Sequence, residues 1–393
     1  MNSFSEIIGQ KIRSSISHDG QNRDFIPLHE PLLMEEEVSA VGETIRSGWV
    51  STQGDKSFEV QARIKELTNS AGAVLTNSGT SALHLALETL GIGIGDEVII
   101  PSLTFVATAN SVLYTGARPL ALDVESEYLS LDTRLVRAFL EACELRGGTL
   151  VNPESGLVVR AIVVVHLLGI VTDMTVFREL ADEFRIGLLE DAAEAFGSRD
   201  NHDNMPGQFS DFAIFSFNGN KIITAGGGGA LISKDPELHH KAFHLSGVAK
   251  SGDVADLSHD EKGFNYRMPA LNASLLDAQL SRFEDIEKRK LVLGQRYEEQ
   301  FVGVEEIKFS SGPASWNRWL FHLRLDVESG EEFSSIVRTL NAEGIGVRPL
   351  WRPMHLLGGL DIGSHGSFTV SEKAWKSVLC LPSSPSLGGS DSE

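Results

Sequence analysis

Residues 73–100 read AVLTNSGTSALHLALETLGIGIGDEVII, and their order decides the fold class. The apolar run 73–75 has the length of a short buried strand. Asn77, Ser78, Gly79 and Thr80 follow as a turn and cap, and 81–90 reads as a helix. Residues 97–100 form a second strand, closed by Pro101. The alternation continues outward. Residues 105–114 read as helix and 119–122 as strand. The β-branched run VVRAIVVV at 158–165 is another strand. Thr172 is expected to cap a helix ending near Phe184, and 186–189 forms a strand that runs into Glu190 and Asp191. Residues 212–217 and 229–233 read as two more strands. Short apolar strands alternating with helices predict a mainly parallel sheet covered on both faces.

The flanks read differently. Residues 1–24 are polar and are expected to form a loosely packed lead-in, and 35–47 reads as a helix opening on Glu35, Glu36 and Glu37. Residues 143–157 read as an inserted polar loop. After Pro269 the pattern changes to a long charged helix over about 272–301, strand-like segments near 319–325 and 345–349, and helices between. The chain therefore divides into a lead-in (1–24), a large α/β domain (25–268) and a smaller C-terminal α+β domain (269–393). The last ten residues, SPSLGGSDSE, are expected to be frayed.

Composition narrows the function classes. The chain has 393 residues, 41% hydrophobic and 22% charged, which allows a large buried core. Its 34 basic and 54 acidic side chains give a net charge of −20. Such a surface repels nucleic acid and anionic membrane. Two cysteines, Cys143 and Cys380, make neither a disulfide framework nor a metal-ligand spacing. The start of the sequence lacks the apolar core of a signal peptide, and no run approaches the ~18 apolar residues of a membrane span. A soluble, cytoplasmic protein without a metal is expected.

Several side chains could carry chemistry. The turn 77–80 opens a helix after a buried strand, where free N–H groups and the helix dipole favour a phosphate; a simple cap is the structural alternative. Asp191 ends a strand at the edge where open α/β sheets bind ligands, and could hold a proton on a pyridine nitrogen; a helix cap is its alternative. Lys221 lies in a short loop between apolar segments and precedes four glycines, Gly226 to Gly229. An apolar or cationic surround would lower its pKa and make it nucleophilic. Ser216 could donate to a phosphate, and Phe105 could stack on a flat ring or fill the core. His166 ends a buried strand, either as a satisfied structural histidine or as a substrate contact. The glycine-rich stretches 91–95 and 226–229 lack the strand–GxGxxG–helix context of a dinucleotide site, which argues against an oxidoreductase.

The segments NSGTSALHLAL (77–87), GDEVIIPSLTFVATAN (95–110), LLEDAAEAFGS (188–198), SFNGNKIITAGGGG (216–229) and GFNYRMPALNA (263–273) together resemble the DegT/DnrJ/EryC1/StrS family over roughly residues 25–385. FIPLHEP (25–31), RPLWRPM (348–354) and LPSS (381–384) are similar to its LegC-type branch, which serves legionaminic acid and related diamino-sugar pathways. The resemblance implies a fold-type I pyridoxal phosphate (PLP) enzyme built like aspartate aminotransferase. It implies L-glutamate as amino donor and a nucleotide-linked keto sugar as acceptor, such as a UDP-linked 2-acetamido-4-keto-2,6-dideoxyhexose. A GDP-linked substrate of the perosamine-synthase type is the alternative.

Residue by residue, Lys221 matches the lysine that carries the cofactor as a Schiff base and then moves the proton. Asp191 matches the partner of the ring nitrogen and Phe105 the stacking aromatic. Gly79, Thr80 and Ser216 match phosphate contacts. Glu194 falls where many members carry Gln beside the ring hydroxyl. Asn265 matches an asparagine that reaches the phosphate of a neighbouring subunit, so a homodimer is implied. Trp49, Thr52, His166, Arg348 and His355 are candidates for sugar or nucleotide contact. Family dehydratases carry histidine in place of the lysine, and Lys221 argues against that chemistry. A non-catalytic PLP-binding regulator is the rival of another class, and the Lys221–Asp191 pair argues against it.

Overall fold

A computed structural model describes residues 4–21, 23–253, 255–310, 312–313 and 315–389. Its main sheet is built from β1 (Gly72–Thr76), β2 (Asp96–Pro101), β3 (Arg118–Leu122), β4 (Glu144–Arg146), β5 (Thr149–Val151), β6 (Val158–Val165), β7 (Gly187–Asp191), β8 (Phe212–Ser216) and β9 (Gly229–Ser233). A second sheet holds β10 (Ile307–Phe309), β11 (His322–Leu325), β12 (Arg348–Pro349) and β14 (Val378–Cys380). The short β13 (Gly363–Ser364) comes from the C-terminal part of the chain yet joins the main sheet.

The main sheet runs β1-β9-β8-β7-β6-β2-β3-β13. From β8 to β13 every neighbouring pair in this order is parallel; β9 runs antiparallel to β8 and β1, and off this order β5 runs antiparallel to β6 and β4. β2 is buried along its whole length, as a strand covered on both faces must be. Helix Val106–Thr115 connects β2 to β3 and helix Thr175–Phe184 connects β6 to β7, each joining adjacent parallel strands. The carboxyl ends of β1, β7 and β8 consequently open on one edge. There β1 leads into the turn before helix Gly79–Thr89, β7 ends at Asp191, and β8 leads into the loop of Lys221.

Five expectations need correction. Residues 4–15 form a helix whose Ile8 and Ile12, with Ile16 beyond it, are buried in a core with Tyr297, Phe301 and Leu340. The four-residue spacing of these isoleucines puts them on one helical face, so the lead-in is packed. The region 143–157 contains the β4–β5 hairpin, joined by Gly147 and Gly148 at φ 59° and 85°. Two successive left-handed residues are what a two-residue hairpin turn needs, and glycine takes them without strain. The helix after Thr172 begins only at Thr175, with Asp173 Oδ1 accepting from Thr175 N at 2.8 Å. The C-terminal stretch is docked through its described residues: Leu387 is fully buried, and Arg289 donates to the Gly389 carbonyl at 2.9 Å. The long charged helix is also two, Ala270–Ser281 and Phe283–Phe301, meeting at Arg282.

Candidate active site

The turn after β1 is shaped by local hydrogen bonds. Ser78 is extended and caps helix Gly79–Thr89, its Oγ accepting from Ser81 N at 3.0 Å. The first N–H groups of a helix have no intrahelical acceptor, so those of Gly79 and Thr80 remain for a ligand. Gly79 is required by space. A Cβ there would lie 2.9 Å from Cβ of Ser216, at the end of β8. Gly229 is packed as closely, since its Cβ would meet the Ser78 carbonyl oxygen at 2.6 Å. The glycine run thus lets β9 pass tightly beneath this turn.

Asp191, at the end of β7, is buried and held in orientation: Oδ2 accepts from Thr108 Oγ1 at 2.8 Å and Oδ1 from Ala193 N at 3.2 Å. Thr108 is in turn bonded to Thr104 Oγ1 at 2.9 Å. Burial raises the Asp191 pKa, opposed by these hydrogen bonds and by the charge of Lys221. A cationic group placed against it would restore its ionised form.

Lys221 Nζ lies 3.6 Å from Glu194 Oε1 and 4.0 Å from the centre of the Trp319 indole. Burial lowers the lysine's pKa; the charges of Glu194 and Asp191 oppose the shift and Arg348 adds to it. Glu194 Oε2 accepts from Leu168 N at 2.7 Å, and burial raises the pKa of this carboxyl too. Trp319 is fixed by its Nε1–H, which donates to the Asn220 carbonyl at 2.7 Å, one residue before the lysine.

These groups share one cavity of about 320 Å³. Gly79, Thr80, Phe105, Asp191, Glu194, Ser216, Lys221 and Arg348 all line it, joined by Thr108, Trp319 and Trp351. Thr108 lies in the first turn of helix Val106–Thr115, and no local pattern in the sequence singled it out. Trp319 and Trp351 come from the distant C-terminal region, and no local pattern ties them to Lys221.

Other candidates lie elsewhere. His166 is fully buried, its Nε2 bonded to Glu190 at 2.7 Å, and it does not line the cavity. His355 is also off the cavity wall, bonded to Ser102 Oγ at 2.6 Å and stacked on Phe368. Trp49, Thr52 and Asn265 do not line the cavity of their own chain; Trp49 is 66% exposed.

A crevice at the carboxyl ends of parallel strands, with a buried lysine, a buried aspartate and a helix N-terminus around it, defines a site for a phosphorylated aldehyde cofactor. The chain belongs to the DegT/DnrJ/EryC1/StrS aminotransferase family, whose profile matches residues 31–393. It is 35% identical over 370 residues to EpsN of Bacillus subtilis (strain 168), covering 92% of each chain. It is 33% identical to the GDP-perosamine synthase of Caulobacter vibrioides, covering 93% of this chain and 95% of that one. Spr1654 from Streptococcus pneumoniae, solved in a PLP form, has a TM-score of 0.79 at 26% identity, covering 91% of this chain and 93% of that one. The cofactor of the family, and of this chain, is pyridoxal 5′-phosphate. The residues fit it: the Gly79–Ser216 approach that a Cβ would fill suits a phosphate, and Asp191 suits a protonated ring nitrogen.

Proposed function

We propose that the protein is an aminotransferase moving an amino group from L-glutamate to the 4-keto group of a nucleotide-linked deoxy sugar. One observation carries this reading. A buried, pKa-lowered lysine stands in the same cavity as a buried, oriented aspartate and a phosphate-type helix terminus. A non-catalytic regulator would need the cofactor's grip but not a lysine poised to lose its proton.

When bound, the cofactor supplies a reactive aldehyde carbon and an electron-accepting ring. The chain supplies the rest. Gly79 and Thr80 N–H and the Ser216 hydroxyl bind the phosphate. Asp191 holds a proton on the ring nitrogen. Phe105 and the indoles of Trp319 and Trp351 exclude water. Lys221 Nζ, once displaced by the donor, takes the proton from the donor's Cα as general base and returns it as general acid.

The acceptor is read as a UDP-linked 2-acetamido-4-keto-2,6-dideoxyhexose for cell-surface glycan or nonulosonic-acid synthesis. The likeness to GDP-perosamine synthases supports a GDP-linked 4-keto sugar as the second reading. A homodimer is part of the proposal, with Asn265 serving the phosphate of the neighbouring copy; its exposure outside its own cavity supports this.

The test is the absorbance of the PLP-loaded protein before and after L-glutamate. A near-visible band that glutamate converts to the amine-form spectrum is expected, and Lys221→Ala should lose turnover. A band indifferent to every amino acid would overturn the aminotransferase reading. Product formation from UDP-linked and GDP-linked keto sugars then separates the two acceptors.

A further inference from the structure

Trp319 is buried, and the face of its indole meets Lys221 Nζ, which lies 4.0 Å from the ring centre. Glu194 Oε1 stands 3.6 Å from the same nitrogen. The ring is fixed in this orientation. Its Nε1–H donates to the Asn220 carbonyl at 2.7 Å, its backbone N–H donates to Asn317 Oδ1 at 2.9 Å, and its carbonyl accepts from Lys290 at 3.1 Å. Trp351 stacks beside it, with 6.4 Å between ring centres and 11° between planes.

The same segment braces Glu194. Asn317 Nδ2 donates to the Glu194 carbonyl at 2.8 Å, and Trp316 Nε1 donates to the Leu168 carbonyl at 2.8 Å. Leu168 N–H in turn donates to Glu194 Oε2 at 2.7 Å. Two backbone outliers belong to this arrangement, since Leu168 and Arg318 both have φ 58°. Left-handed backbone is unfavourable for a residue with a side chain and persists where its surroundings impose it, often at a functional site. Here one outlier supplies the N–H that holds Glu194, and the other immediately precedes the indole.

We propose that the Trp319 face and the Glu194 carboxylate form a berth for Lys221 in its displaced, protonated state, holding the ammonium beside the reacting carbon. The inference rests on the aminotransferase reading and deepens it. The electron-rich face of an indole attracts an ammonium far more than a neutral amine. The reaction makes an ammonium at this place: the displaced lysine takes the proton from the donor's Cα and carries it until it is returned. In a cavity walled by Phe105, Trp319 and Trp351 that charge has little water around it, so fixed partners must stabilise it. The ring makes and breaks no bond, so Trp319 is a positioning residue that acts through the lysine. Of the other groups facing Nζ, the charge of Asp191 favours the ammonium and that of Arg348 opposes it, while His29 feels the lysine's charge.

The experiment compares Trp319→Leu and Trp319→Phe with wild type in two measurements. The first is the pH profile of PLP attachment to the PLP-free protein. Losing the indole face removes a stabiliser of the ammonium, so the rate in Trp319→Leu should level off about one pH unit lower than in wild type. Phenylalanine keeps a weaker face and should give a smaller shift in the same direction. Water admitted to the site would move the plateau the opposite way, towards the ordinary lysine range. The second measurement is single-turnover conversion of the PLP-loaded protein by L-glutamate. Its rate should fall about tenfold in Trp319→Leu and recover in part in Trp319→Phe, with half-saturating glutamate within a few-fold of wild type. A plateau that stays in place or moves upward overturns the inference, as does a defect confined to the glutamate requirement. If Trp319→Leu fails to fold, Trp319→Phe decides by the same signs. A wild type inert to all amino acids overturns the reading beneath; the attachment profile needs no amino acid and so tests the berth separately.

Discussion

Lys221 and Lys290 are both buried lysines, but their surroundings give them different work. Lys290 donates to the carbonyls of Trp319 and Ser383 and does not line the cavity of Lys221. Burial holds its pKa well below the usual lysine value. Replacing it by Met leaves two buried carbonyls unpaired, so Lys290→Met should lose about 1–3 kcal/mol in urea unfolding of the PLP-free protein. Lys221 faces the cavity, and its lowered pKa predicts a pH dependence. The folded pKa lies below 10.5, so the amine becomes neutral at lower pH than an exposed lysine. The rate of PLP attachment to the PLP-free protein should rise with pH through that lowered pKa and level off before pH 10.5. A rate still climbing at pH 10.5 would contradict the burial argument. At this scale the sequence showed Lys221 and Asp191, because each follows a strand at the ligand-binding edge. It did not show Trp319 or the partner of His166, whose roles depend on contacts between separate segments of the chain.

The strand–turn–helix unit at 72–89 is the element on which the site depends. Its turn is tight because Gly79 touches Ser216 and Gly229 touches Ser78. Gly79→Ala would force strand and helix apart, with an overpacking cost of about 1–3 kcal/mol. The expected outcome is weaker PLP retention, by roughly tenfold or more, measured by dialysis and absorbance. Retention equal to wild type would mean that the cradle does not depend on this close approach. The core strands were legible because each is a short, continuous apolar run between turn residues. The β4–β5 hairpin was not, because its strands are three residues each and β4 is exposed on every residue. The N-terminal helix was missed because its isoleucines are embedded among polar residues, so the run reads as polar on average.

Over the whole molecule, no helix among the described residues is long and apolar enough to cross a membrane. The exposed apolar side chains include Val38, Ile45 and Trp49 in and just after helix Glu35–Ser47. If this face meets a second copy, sedimentation should give a dimer, and Trp49→Glu should shift it towards monomer while the secondary structure is retained. A wild-type monomer would remove the proposed role of Asn265. The cavity itself joins the carboxyl ends of the main sheet to Arg348 and Trp351 at β12 and beyond, which is why neither half of the sequence describes it alone. One consequence follows from the indole lying over Lys221. Of five tryptophans, Trp319 and Trp351 line the cavity. Indole emission overlaps the absorption of a pyridoxal chromophore. Resonance energy transfer from these two rings would make the protein its own optical reporter, dimming as the chromophore is taken up and changing again when an amino acid converts it.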